Sequence, residues 1–267
     1  MITSDTCIIV GSGASIRSGK WSTEAKNLIL WQKLKKYTTF GINWAYKYHV
    51  PTVELFVDPH FWNTEKEGLQ YLPLCISTQV TDYGRVFKKK YKEMTRLDDN
   101  IFLVPASSKY HELPERWEKG FYSRKLSGMI ALSLAITFGF KNIYLLGYDC
   151  QAIEDRTHFY QDEEDVGIVT HFSGKTTTGV GFNDKGNYNT SLYQTDKINN
   201  LYACYLPELE KCNIYNVSLN SKIDIFPKIS YEEFYKHLEQ TEKVNQDEIR
   251  KQIKAILVSH YETKKMF

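Results

Sequence analysis

Apolar residues in this chain come in short runs that stop abruptly at small or polar residues. Thr6–Val10 is one such run, and it ends in Gly11-Ser12-Gly13-Ala14-Ser15. Residues 38–43 form a second, closing on Asn43, and residues 53–57 a third, closing on Asp58-Pro59. Residues 74–78, 101–104 and 213–217 repeat the pattern, as do residues 142–146, which run into Gly147-Tyr148-Asp149. Short apolar runs bounded by turn formers predict buried strands. Between them, residues 22–36 have helical character, and residues 127–138 are apolar nearly all round, which predicts a helix buried against a sheet. Alternation of this kind predicts an α/β fold: a Rossmann-like, mostly parallel sheet flanked by helices. Residues 150–195, rich in Gly, Thr, Asp and Asn and without periodicity, predict an irregular lid segment. Residues 231–264 predict two charged amphipathic helices, so the chain divides into a domain over residues 1–230 and a C-terminal helical extension over 231–267.

The polar tips carry the chemistry. Ligands of open parallel sheets bind at the carboxyl ends of the strands. A glycine turn there lets backbone N–H groups approach an anion without obstruction by a Cβ. Ser127-Gly128 predicts an N-cap whose free N–H groups and positive dipole end suit a phosphate or carboxylate. Asp58 precedes a proline, is thereby pushed out of helical geometry, and is expected to expose its carboxylate at a sharp exit. These features predict that residues 1–230 form a nucleotide-binding catalytic domain.

Composition narrows the class. The 267 residues are 42% apolar and 25% charged, ordinary for a globular protein, and the net charge of +2 does not indicate nucleic acid. Nineteen tyrosines lift the aromatic share to 14%, which favours a binding cleft weakly at most. Five cysteines without a C-x-x-C pair suit reduced, buried thiols. No signal peptide and no apolar run of ~20 residues is present, so no membrane span and a cytoplasmic location are expected.

Several familiar motifs fail on inspection. Gly11-Ser12-Gly13 begins a G-x-G-x-x-G pattern, but Ile16 holds the third glycine position and residues 30–36 lack the acidic residue that would grip an NAD ribose. Ser173-Gly174-Lys175-Thr176-Thr177 imitates a P-loop, yet Val169 stands where its first glycine belongs. Asp58, His60, Asp149 and His158 have no metal-ligand spacing, so no protein-bound metal is expected, while Mg²⁺ carried in by a nucleotide stays open. His158 follows Asp149 after a short loop, and a His titrating near neutrality suits proton removal from a hydroxyl.

Val10-Gly11-Ser12-Gly13-Ala14-Ser15 resembles the G-[NS]-G-P-S-[LI] turn of the bacterial family 42 sialyltransferases. Arg124-Lys125-Leu126-Ser127-Gly128, the apolar helix, and Ile143-Tyr144-Leu145-Leu146-Gly147-Tyr148-Asp149 resemble that family's R-x-x-S-G…I-Y-L-x-G-x-D segment. Asn43, Asp58-Pro59 and Asn220-Ser221 also fall at matching positions, so the resemblance spans roughly residues 6–230. The same core is similar to the motility accessory factor and 6-hydroxymethylpterin diphosphokinase group, which shares the glycine-serine turn and a G-x-D…H element. Ala14 departs from the family's proline, and Cys150-Gln151-Ala152 replaces its tyrosines, with Tyr148 or Tyr160 as substitutes.

The resemblance implies a glycosyltransferase that moves a sugar from an activated nucleotide sugar, a CMP-linked donor first, to an acceptor hydroxyl. It implies that Gly11, Ser12, Gly13, Ser15, Asn43, Asp58, Ser127, Gly128, Gly147 and Asp149 line the nucleotide site. It also implies that Arg124 meets an anionic group, that Tyr148 takes part in catalysis, and that His158, or else His171, is the general base. No tightly bound cofactor is expected, the nucleotide sugar being a co-substrate, and the acceptor is open. Two alternatives stand beside this: an ATP- and Mg²⁺-dependent diphosphokinase-like transferase, and a non-catalytic nucleotide-binding module. The C-terminal helices either pack on the core or form a homo-oligomer contact.

Overall fold

The computed structural model describes residues 2–17, 24–57, 59–78, 95–104, 106–107, 121–122, 126–151, 153, 159–160 and 195–263. Its strands are β1 (Thr6–Val10), β2 (Thr38–Ile42), β3 (Val53–Phe56), β4 (Cys75–Thr78), β5 (Thr95–Asp98), β6 (Ile101–Val104), β7 (Ala106–Ser107), β8 (Phe121–Tyr122), β9 (Asn142–Leu146) and β10 (Asn213–Asn216). Its helices are α1 (Glu24–Leu34), α2 (Pro59–Leu69), α3 (Ser127–Thr137), α4 (Thr195–Tyr202), α5 (Tyr231–Gln240) and α6 (Gln246–Thr263). The segment expected to be a lid lies almost wholly outside the described residues.

Eight strands form one sheet in the order β10-β9-β1-β2-β3-β4-β6-β5. All neighbours run parallel except β5, which pairs antiparallel with β6 at the edge. Strands β7 and β8 make a separate two-stranded parallel pair. The chain winds outward from β1 through β2, β3, β4 and β6, then crosses back to lay β9 and β10 on the other flank of β1. The β1–β9 boundary is therefore the topological switch point, where open α/β sheets form their ligand crevice.

Alternation along the strands divides the core. Cys7, Ile9, Phe40, Leu55, Ile143 and Leu145 point to one face, where α3, α4 and α6 pack. Ile8, Val10, Tyr144 and Leu146 point to the other, covered by α1 and α5. Helix α3 buries every residue from Met129 to Ala135, as its unbroken apolar sequence requires. Both C-terminal helices enter this core, on opposite faces: Phe234 and Leu238 of α5 on one, Ile249, Ile253 and Leu257 of α6 on the other. Helix α5 starts with a capping box, in which Ser230 Oγ accepts from the Glu233 N–H at 3.1 Å and the Ser230 N–H donates to Glu233 Oε2 at 2.8 Å. Among the described residues no helix is long and apolar enough to cross a membrane.

Candidate functional site

At the switch point two strand tips are laced together. The Gly11 N–H donates to Leu146 O at 2.7 Å, the Gly13 N–H to Gly147 O at 2.9 Å, and the Ser15 N–H to Asp149 Oδ2 at 2.7 Å. Such contact leaves no room for side chains: a Cβ on Gly13 would lie 2.5 Å from Gly147 O and from Asp149 Oδ2. Gly147 has φ +68°, a left-handed backbone that glycine adopts without strain. The glycine turn is thus first a device for joining β1 to β9, and the amides of Gly11 and Gly13 are engaged by carbonyls rather than turned outward.

Asp149 is 1% exposed and receives the Ser15 amide of the short 3-10 turn Ala14–Arg17. Burial raises its pKa, while its hydrogen bonds with Ser15 and the Ser218 hydroxyl pull in the opposite direction. The end of β10 and the residues after it hold this tip as well. The Tyr148 carbonyl accepts from Ser221 Oγ at 2.6 Å and Asn216 Nδ2 at 3.3 Å, and the Lys222 N–H donates to Asp149 O at 3.0 Å. Cys150, with φ +52°, follows directly in a left-handed backbone.

Tyr148 points inward. Its phenol donates to Gly128 O at 2.9 Å, its ring would meet a Cβ on Gly128 at 2.9 Å, and burial pushes its pKa up. It anchors the start of α3 to the tip of β9. That helix start differs from the expectation: the N-cap is Leu126, extended and without a side-chain cap bond, and Ser127 is already the first helical residue.

One strand across, the end of β2 is built differently. Asn43 opens the 3-10 turn Asn43–Lys47 with φ +57°, a conformation that costs a non-glycine residue about 1–2 kcal/mol. Its Oδ1 is buried and has no hydrogen-bond partner among the described residues. An orphaned, buried acceptor on a strained residue at a strand tip is the arrangement that marks ligand contact elsewhere in proteins.

Between these two tips the short described piece after Asp149 is pinned down. The Phe159 N–H donates to Ser12 O at 3.0 Å, and the Phe159 ring packs on Tyr48 and Trp31 at centroid distances of 4.9 and 5.8 Å. Tyr160, 1% exposed, packs edge-on against Trp44 at 5.4 Å, so it serves as core rather than as a surface tyrosine. The apolar Phe-Tyr pair carried this signal in the sequence beside His158. Of the expected site residues, the structure gathers Gly11, Ser12, Gly13, Ser15, Asn43, Ser127, Gly128, Gly147, Tyr148 and Asp149 along one edge. Asp58, Arg124, His158 and His171 lie outside the described residues, and no cluster of metal-ligating groups occurs among those described.

This edge and topology define a Rossmann-like α/β protein of a kind shared with known glycosyltransferases. The structure of the MAf glycosyltransferase from Magnetospirillum magneticum AMB-1 matches with a TM-score of 0.51 at 13% identity, over 96% of this chain and 37% of that one. The chain therefore spans little more than a third of that protein's length. The sialyltransferase CstII from Campylobacter jejuni, in complex with the substrate analogue CMP-3FNeuAc, gives a TM-score of 0.43 at 14% identity, covering 84% of this chain and 85% of that one. A variant of the sialyltransferase CST-II in complex with CMP gives 0.47 at 15% identity, over 84% and 86% of the two chains. No family model and no curated protein matches the sequence. What is shared is the fold.

Proposed function

We propose that the protein is a glycosyltransferase that uses a nucleotide sugar, held across the tips of β1, β2 and β9. The observation that carries this reading is Asn43, whose left-handed backbone and Oδ1, without a partner among the described residues, sit at the carboxyl edge beside the glycine turn. That oxygen is an acceptor, so its partner on the ligand is a donor: a ribose hydroxyl or an exocyclic amine rather than a phosphate oxygen. The phosphate belongs at the uncapped start of α3, Ser127 and Gly128, where helix amides favour an anion. Ser12 and Ser15 complete the nucleotide side, and Gly11, Gly13, Gly147 and Asp149 shape it. The CMP-linked donor rests on the sequence resemblance.

In the reaction an acceptor hydroxyl attacks the anomeric carbon as the bond to the nucleotide phosphate breaks. His158 takes the hydroxyl proton, and Arg124 and the α3 amides meet the anionic groups of the donor. The Phe159–Ser12 bond supports this role for His158, because it ties the following residue to the same edge. Tyr148 is assigned to holding α3 rather than to chemistry.

The test is a thermal-shift panel of CMP, CDP, UDP, GDP, ADP and ATP, each with Mg²⁺ and with EDTA. A nucleotide at 100 times its Kd adds about 2.7 kcal/mol. Stabilisation by CMP that EDTA does not remove is the expected result, and a response to ATP alone with Mg²⁺ would transfer the reading to a diphosphokinase. On the donor so identified, His158→Ala is expected to lower kcat by about 10²–10⁴-fold.

A further inference from the structure

Glu65 lies on α2 in the polar run Thr64-Glu65-Lys66-Glu67, yet it is only 6% exposed. Its carboxylate collects three donors, all from the turn that Asn43 opens. Trp44 Nε1 donates to Oε1 at 2.9 Å, Lys47 Nζ pairs with the same oxygen at 3.1 Å, and the Tyr46 phenol donates to Oε2. Burial and this bond push the Tyr46 pKa up. Apolar packing reinforces the grip. Trp44 meets Phe61 of α2 edge-on at 5.0 Å, and a Cβ on Gly68 of α2 would come within 3.0 Å of the Tyr46 hydroxyl.

Packing alone would hold a turn against a helix. Three directed bonds to one desolvated carboxylate also fix the turn's rotation, and a residue with positive φ needs that constraint from its surroundings. Trp44, Tyr46 and Lys47 all end on Glu65, while Asn43, which opens their turn, keeps a buried Oδ1 with no partner among the described residues. We propose that Glu65 is a positioning residue for the nucleotide site: it locks the left-handed backbone at Asn43 and so aims the Asn43 carboxamide at the ligand. This rests on the nucleotide reading above.

The experiment is calorimetric titration of CMP into the wild type, Glu65→Gln, Asn43→Gly and the double variant, with a melting curve for each. Glu65→Gln is expected to weaken CMP binding about tenfold, a coupling usual for neighbours in one network. Asn43→Gly weakens it as well, and the double variant binds no more weakly than Asn43→Gly, because glycine takes the left-handed backbone unaided and has no side chain to aim. A merely structural Glu65 would instead add its loss to that of Asn43→Gly, and additive losses overturn the proposal. If the wild type binds CMP and Glu65→Gln binds it equally well, the positioning role falls alone. If the wild type binds neither CMP nor any other nucleotide of the panel, the nucleotide reading falls and takes this one with it. Should Glu65→Gln not fold, Glu65→Asp, whose carboxylate is drawn back by one methylene, replaces it in the same cycle.

Discussion

The carboxyl edge of the sheet is closed on one side of β1 and held open on the other. Toward β9 and β10, amides of the glycine turn meet carbonyls of the facing tip, and Asp149 takes what is left. Toward β2, the turn is held by Glu65 of α2, and Asn43 keeps an acceptor with no partner among the described residues. The same sheet thus uses neighbouring strands as a seal in one place and a helix as a support in the other. Backbone amides and carbonyls that face a neighbouring tip are consumed by it, whereas the β2 tip draws its support from a helix behind it.

The sealed side is most easily broken by Gly13→Ala. The added Cβ would lie 2.5 Å from a backbone carbonyl, which cannot swing away as a side-chain end can. A loss of about 3 kcal/mol in urea unfolding is expected, the upper end of overpacking costs. A loss under about 1 kcal/mol would show that the tips part readily and that the seal is not rigid.

Acid should strike the other side. His49 follows the Asn43–Lys47 turn, is 4% exposed, hydrogen-bonds to Thr39 Oγ1 through Nε2 at 3.0 Å and stacks on Trp31. Burial first, then the nearby Lys35 and Arg250 charges, lower its pKa from 6.5 to about 4. The unfolded chain therefore binds the proton first, and stability is lost as pH falls from 6.5 toward 4, by about 3 kcal/mol. Denaturation midpoints across that window should fall more steeply for the wild type than for His49→Gln. Equal slopes would remove His49 from the account.

The smallest effect should come from Glu54, in the middle of β3. Both its oxygens are buried without partners among the described residues, Gly41 leaves space for one of them, and burial raises its pKa well above 4.5. Here the folded state holds the proton longer, so stability falls as pH rises above 4.5. Glu54→Gln should stabilise the protein by about 1–2 kcal/mol at pH 7 and flatten that slope. An unchanged melting temperature at pH 7 would mean that the carboxyl has a partner in solution.

Much of the sheet was legible because buried parallel strands are apolar runs with polar ends: β1, β2, β3, β4, β6, β9 and β10 all announce themselves this way. Helices α5 and α6 showed their amphipathic spacing. Strand β5, Thr95-Arg96-Leu97-Asp98, did not, since an edge strand carries no continuous apolar signal. The site divides along the same line. Glycines at strand ends mark a tight turn, but whether the close approach is to a ligand or to another strand is settled only by which strand lies alongside. Glu65 carries no local signal of burial, because that burial depends on a turn some twenty residues earlier in the chain. Leu126 as N-cap was hidden for a similar reason: Tyr148 fixes the start of α3, and no local capping residue is needed.

The place of β1 at the centre of the sheet sets an order of events at the ribosome. Cys7 pairs with Thr38 on one side early, but on the other side its partner is Ile143. At a synthesis rate of about 5–20 residues per second, one edge of this buried strand waits on the order of ten seconds for β9 to emerge. During that interval Cys7, Ile8 and Ile9 present an open row of amides and carbonyls to any other nascent chain. A protein whose first strand is sealed only by its ninth must pass through a time when that edge is a sticky border.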